Sequence, residues 1–155
     1  MAQTARLALH ARRLALTTAV FAFLDYLWLS VFMGDFYKQQ LGDLARRNGP
    51  DFAPLWWAAV LVYVLLVVGL VAFVMPKARS LAGALGWGAL FGLVAYGTYD
   101  LTCQAVIRNW PVVVTAVDMA WGATICGLTA CAVRALEVHG PAAIHVPPHP
   151  GRISH

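Results

Sequence analysis

Four long apolar stretches, separated by short polar connections, set the hydrophobic pattern of this chain. They cover residues 14–33, 55–75, 81–103 and 112–135. A hydrocarbon core about 30 Å thick is crossed by roughly 20 helical residues, and each stretch reaches that length. The pattern therefore predicts an all-α integral membrane protein folded as a four-helix transmembrane bundle.

The one sizeable polar connection, residues 34–54, carries a weaker helical signal. Apolar side chains recur there at roughly helical spacing, namely Phe36, Tyr37, Leu41 and Leu44. The following Asn48-Gly49-Pro50 is a helix stop signal. The segment predicts a short amphipathic helix that lies in the membrane interface between spans one and two. A solvated loop is the alternative, because the segment is short.

The two ends of the chain differ from these stretches. Residues 1–13 form a basic leader, and the proline- and histidine-rich residues 136–155 predict a disordered tail. The first stretch is interpreted as a retained span rather than a signal peptide, because its apolar run continues without a small-x-small cleavage site. Lysine and arginine are more frequent on the side of the membrane that carries the N-terminus than on the opposite side. This distribution predicts that both termini are cytoplasmic.

Composition supports a membrane protein and removes other classes. The chain is 61% hydrophobic and 12% charged, with a mean hydropathy of +0.69, which argues against a soluble, disordered or disulfide-stapled protein. The net charge is +4, but the basic residues form no stripe, so nucleic acid is not an expected partner and the lipid bilayer is. Cys103, Cys126 and Cys131 lack zinc-site spacing, and no metal site is predicted.

Three aspartates interrupt the apolar stretches: Asp25, Asp100 and Asp118. A carboxylate near the bilayer centre costs about 2.5–3.5 kcal/mol, so such residues usually face the bundle interior or a wet cavity. With cytoplasmic termini, they lie roughly 12, 5 and 9 Å, respectively, from the outer ends of their spans. The sequence thus predicts a polar pocket in the outer half of the membrane, open to the outer side.

The residues around these aspartates share helix faces. Ala84, Gly88, Gly92, Tyr96 and Asp100 recur every four residues, and the small members let another helix approach closely. The predicted ligand- or proton-binding residues are Asp25, Asp100, Asp118, Tyr96, Tyr99, Trp28, Trp121 and Thr102, and the predicted helix-packing residues are Gly88, Gly92 and Gly122.

The charge states of the carboxyl groups need not be equal. Asp118 lies near the N-terminal end of its helix, where the helix dipole favours an anion, and Asp100 lies near a C-terminal end, where it does not. Our hypothesis is that Asp118 is ionised and that Asp100 or Asp25 holds a proton near neutral pH. The alternative is structural: an aspartate can cap a helix or bond two helices together.

Several motifs in this region occur in an order that resembles a family of bacterial predicted membrane proteins, domain of unknown function 2177. The matching segments are Asp25-Tyr26-Leu27-Trp28-Leu29, Phe36-Tyr37, residues 92–102, Asn109-Trp110-Pro111 and residues 115–122. The likeness covers about residues 14–135. It implies a multi-pass protein of the bacterial inner membrane, and it implies no reaction. Where the family pattern commonly has asparagine, this chain has Cys103.

Three functions fit the sequence. The first is a membrane module that binds or relays a proton, a cation or a lipid head group at the aspartates, with a homodimer needed for transport. The second is a small membrane enzyme that acts on a lipid by carboxylate acid/base chemistry. The third is an accessory subunit that docks on a larger membrane partner through the glycine face of span three. The sequence identifies no cofactor and does not decide whether the protein is an enzyme.

Overall fold

The computed structural model describes residues 2–139, and within them four helices are long and apolar enough to cross a membrane. This confirms the predicted all-α bundle. The helices, in chain order, are α1 (Ala2–Leu27), α2 (Gly34–Leu41), α3 (Trp56–Gly69), α4 (Leu81–Val106) and α5 (Val112–His139). Single π-helical turns, Trp28–Phe32 and Leu70–Val74, extend α1 and α3.

The connection between spans one and two does contain a short helix, α2. It ends at Gly42, whose φ of 47° lies in the left-handed region that favours glycine. The last residue of the helix is already Leu41, whereas the sequence predicted that Asn48-Gly49-Pro50 would end it. A two-stranded antiparallel hairpin forms there instead, pairing β1 (Arg47–Asn48) with β2 (Asp51–Phe52). Gly49, with φ 63°, makes its turn.

The first and last helices of the bundle are longer than the predicted spans. α1 already includes most of the basic leader, and α5 continues beyond residue 135 to His139. The tail predicted to be disordered is residues 136–155. Its first four residues belong to α5, and the residues after His139 lie outside the described part of the chain. Ser80 begins α4, because its hydroxyl accepts a hydrogen bond from the backbone N–H of Gly83 at 3.0 Å.

Close packing of α4 against α5 forms the centre of the bundle. A Cβ atom at Gly88 would lie 2.5 Å from the carbonyl oxygen of Cys126, and one at Gly92 would overlap the carbonyl oxygen of Gly122. A Cβ atom at Gly122 would in turn lie 2.3 Å from Cγ of Tyr96. These glycines therefore allow two helix backbones of the same chain to touch. The same face is not free to dock a larger partner, which removes the surface on which the accessory-subunit hypothesis depended.

Helix α1 packs antiparallel to α5 and fixes the level of each polar residue. At one end Arg13 pairs with Glu137, and near the other Asp25 contacts Trp121. We call these the Arg13 end and the Trp28 end of the bundle. A core cluster lies between them and includes Phe21, Leu70 and Ile125.

Candidate functional site

Asp25 is held by two hydrogen bonds from different helices. Its side chain is 7% exposed. One carboxyl oxygen accepts from the hydroxyl of Tyr63 on α3, and the other accepts from Nε1 of Trp121 on α5 at 3.1 Å. A buried carboxylate that receives two hydrogen bonds is satisfied. Asp25 therefore joins α1, α3 and α5 at one level of the bundle.

Two stacked tryptophans connect Asp25 to a second carboxyl site. The rings of Trp28 and Trp121 are nearly parallel, with centroids 4.2 Å apart and an interplanar angle of 4°. Trp28 Nε1 donates to the hydroxyl of Tyr37 at 3.2 Å. Trp28 lies in the π-helical turn after α1, and such turns are frequent at functional sites.

Asp118 is the second carboxyl site, and its partner comes from the short helix α2. The hydroxyl of Tyr37 donates a hydrogen bond to Oδ1 of Asp118. Burial, together with this bond, raises the pKa of Tyr37 above its ordinary value. Tyr37 therefore keeps its proton at neutral pH and remains a hydrogen-bond donor to Asp118.

Helix α2 covers this end of the bundle. Tyr37 is buried in a cluster with Cys103, Trp110 and Val114, at the ends of α4 and α5 that meet in the short connection between them. Its neighbour Phe36 packs against the same cluster. The short amphipathic segment thus closes the bundle over Asp118 and supplies the hydroxyl group that Asp118 accepts from.

Asp100 is the least satisfied polar residue of the site. Its side chain is fully buried, and neither carboxyl oxygen receives a hydrogen bond from a donor among residues 2–139. The carboxyl group of Asp118 lies within electrostatic reach of it. Two carboxylates cannot bond to each other unless one carries a proton. Two neighbouring carboxyl groups can avoid like-charge repulsion by sharing one proton.

The structure brings the three predicted aspartates together, but not every predicted neighbour. Tyr96 lies between α4 and α5 on Gly122, within electrostatic reach of Asp25 and Asp118. Tyr99 is 58% exposed and contacts Trp110 edge to face. Thr102 is exposed and donates to the carbonyl oxygen of Thr98 in its own helix. Thr102 therefore lies outside the cluster of carboxyl groups.

Two tyrosines of the site were not among the predicted site residues. Tyr37 was noted only as an apolar position of α2 and as part of a family motif. Tyr63 had one signal: residues 55–75 contain no serine, threonine or other tyrosine, so its hydroxyl group is the only one in that span. A single hydroxyl in a span free of charge needs a partner in the bundle, and Asp25 is that partner.

The three aspartates differ in exposure, and the pocket open to the outer side stays a prediction. Asp25 and Asp100 are buried among side chains, and Asp118 alone is partly exposed. An apolar groove of about 680 Å³ lies elsewhere, between α1 and α3, and Tyr63 forms part of its wall. Within residues 2–139, no cluster of three or more histidine, cysteine, aspartate or glutamate side chains could hold a metal ion.

The chain was compared with known proteins. A family model described as "Predicted membrane protein (DUF2177)" matches residues 11–135, which is most of the chain. No curated protein matches. No solved structure matches either.

Proposed function

The chain belongs to the DUF2177 family of predicted membrane proteins, and we propose that its three aspartates form a proton-binding site within the membrane. Asp100 and Asp118 share the proton, and Tyr37 keeps Asp118 able to release it. Asp25 anchors the three surrounding helices through its bonds to Tyr63 and Trp121. Of the three candidate ligands, a proton, a cation and a lipid head group, the contacts favour the proton.

The burial of Asp100 without a donor carries this proposal. An ionised carboxylate that is fully buried and accepts no hydrogen bond is strongly unfavourable, and a neutral carboxyl group is much less so. The carboxyl group of Asp118 is the acceptor for a proton held on Asp100. When Asp118 takes up that proton instead, the hydroxyl of Tyr37 is its hydrogen-bond partner within residues 2–139, so proton release passes by way of α2.

A proton fits the pair better than a metal cation does. Two carboxyl groups are enough to hold one proton, whereas calcium takes six to eight oxygen ligands. Each oxygen of Asp25 already accepts a hydrogen bond, one from Tyr63 and the other from Trp121. A lipid head group would need an opening at the aspartates, and Asp100 has no exposed surface.

Orientation and location complete the proposal. Both termini are cytoplasmic and the membrane is the bacterial inner membrane, as the distribution of basic residues and the family resemblance support. The aspartates then lie in the outer half of the bilayer, below α2. Four spans leave little room for a transport route through one chain, so net transport would involve a homodimer.

Infrared titration of the Asp100→Asn variant tests the proton site. We expect the wild-type protein in lipid bilayers to show a protonated carboxyl band at pH 7. Asp100→Asn abolishes the band, because Asp118 then keeps the Tyr37 hydroxyl donor and stays ionised. Asp118→Asn retains a band, because Asp100 remains buried without a charged partner.

The exposed Asp43 of the connection supplies the control. Asp43→Asn leaves the band unchanged. The absence of a protonated carboxyl band from the wild type at pH 7 would contradict the proposal, as would a band of equal intensity in Asp100→Asn.

The second candidate, an enzyme acting on a lipid, is favoured by the apolar groove. The groove faces the bilayer between two spans, and the Tyr63 in its wall is bonded to Asp25. A lipid chain lying there would pass next to the Tyr63 hydroxyl, which in turn contacts a carboxylate.

Whole-cell lipid mass spectrometry separates the two candidates. Cells expressing the wild type, Asp25→Asn or no protein are compared. For a proton-binding module we expect identical lipid profiles. A lipid species that appears only with the wild type would establish the enzyme instead, and its mass difference would give the reaction class.

A further inference from the structure

Two threonines deep in the bundle have hydroxyl groups without a partner. Thr17 on α1 is 1% exposed and Thr129 on α5 is 0% exposed. Neither Oγ1 atom has a hydrogen-bond partner among residues 2–139. A helical threonine usually donates to the carbonyl group four residues earlier, and four other threonines of the chain do so: Thr18, Thr98, Thr102 and Thr124.

Both threonines lie at the same level of the α1–α5 pair. The two helices are antiparallel, and Asp25 contacts Trp121. About one turn from that contact towards the Arg13 end, Phe21 on α1 and Ile125 on α5 are both fully buried. A further turn in the same direction reaches Thr17 and Thr129. The pair of hydroxyl groups is therefore separated from Asp25 by one apolar layer.

The next polar groups lie beyond the threonines, at the Arg13 end. Arg13 and Glu137 form a two-pronged ion pair, with Nη2 of Arg13 3.3 Å from Oε2 of Glu137. Nη1 of Arg134 lies 3.7 Å from the same oxygen. Glu137 is thus held between two guanidinium groups, about two turns from Thr129. The fully buried Val133 lies on α5 between Glu137 and the threonine level, so a second apolar layer separates these polar groups from the threonines.

We propose that Thr17 and Thr129 bind a water molecule between α1 and α5. Each hydroxyl group offers one donor and two acceptor positions, and a buried water typically makes two to four hydrogen bonds to polar groups that are otherwise unsatisfied. A single bridging water would satisfy both threonines. It also explains why neither hydroxyl uses the carbonyl group of its own helix.

The water site provides a second route by which protons could reach the carboxyl groups, from the Arg13 end of the bundle. This consequence rests on the proposed proton site. From the Trp28 end, protons reach Asp118 past Tyr37. From the Arg13 end, the buried Val133 lies between Glu137 and the threonine water, and the Phe21–Ile125 layer lies between that water and Asp25. The threonine water therefore divides the apolar barrier that a proton, carried by transient water, has to pass into two shorter layers.

Water-to-methyl magnetisation transfer in lipid bilayers, with threonine methyl groups carbon-13 labelled, tests the water site. We expect cross-peaks from bound water to the methyl groups of Thr17 and Thr129. Thr129→Val, which keeps the side-chain shape and removes the hydroxyl, also abolishes the cross-peak at Thr17. Thr124→Val is the matched control, because the Thr124 hydroxyl is bonded to its own helix and is exposed. It leaves both cross-peaks in place.

The wild-type spectrum alone can overturn the proposal: no transfer to either methyl group rules the water out, whatever the variants do. An unchanged Thr17 cross-peak in Thr129→Val overturns the shared site. The role in proton exchange is measured separately, by the deuterium shift of the carboxyl band after transfer to D2O. Exchange in Thr129→Val is expected to slow at least threefold, and equal rates would exclude that role. A wild type with bound water but no carboxyl band would refute the proton site and leave the water site standing.

Discussion

Replacing Gly92 with leucine is expected to cost about 3 kcal/mol of stability and to separate α4 from α5. Even a Cβ atom at Gly92 would overlap the carbonyl oxygen of Gly122 and lie 2.8 Å from the Cβ of Cys126. Backbone atoms cannot rotate away, so the helices have to move apart. Overfilling a packed interior costs about 1–3 kcal/mol, and a clash with backbone belongs at the upper end. Helix association in membranes depends on such packing, because lipid offers no hydrophobic drive.

Unfolding in mixed detergent micelles measures this effect, and Gly86 provides the matched control. Gly86 is on the same helix, is exposed, and has no atom within 4 Å of the position of its Cβ. Gly86→Leu is expected to be neutral or slightly stabilising, because leucine is the better helix former by roughly 0.5–1 kcal/mol. Equal losses in the two variants would mean that the glycine contact does not hold the bundle together.

The spans followed from the sequence because apolar length is a property of single stretches. The start of α4 at Leu81 is where the hydrophobic run begins, and Ser80 before it is a residue type that caps helices. The hairpin at Arg47–Phe52 could not be read the same way. Its strands are two residues long and exposed, so they have no hydrophobic alternation to detect.

The depth of the three aspartates along their helices could be predicted better than the identity of the residues that contact them. Depth along a helix depends only on residue count, so the meeting of Asp25, Asp100 and Asp118 followed from the span ends. Successive side chains of a helix point in directions that differ by about 100° around its axis. Thr102, two residues after Asp100, therefore points away from the side of the helix on which Asp100 lies. Tyr63 was missed because nothing in its own span indicates which helix it contacts. That information lies in the packing of α3 against α1.

Replacing Trp121 with alanine is expected to be the most damaging single change at the site, with a loss of about 3–5 kcal/mol. Removal of the indole ring ends the stack on Trp28 and takes away one of the two donors to Asp25. Losses of this size are typical when a large aromatic side chain is truncated inside a packed structure. The matched control is Trp57→Ala, because Trp57 is 67% exposed. Its loss is expected to stay below about 1 kcal/mol.

Trp121→Phe separates the two contributions of the indole ring. Phenylalanine keeps an aromatic face for Trp28 and lacks the N–H donor, so Asp25 keeps only Tyr63. A weakened hydrogen bond at a buried charged group costs about 1–3 kcal/mol, which is less than the loss in Trp121→Ala. The infrared carboxyl band of the Asp100–Asp118 pair should persist, because Asp118 accepts its hydrogen bond from Tyr37 and not from Trp121. Loss of the band in Trp121→Phe would mean that the hydrogen bonds of Asp25 control the proton shared by Asp100 and Asp118, and that the role of Asp25 in the site goes beyond anchoring the helices.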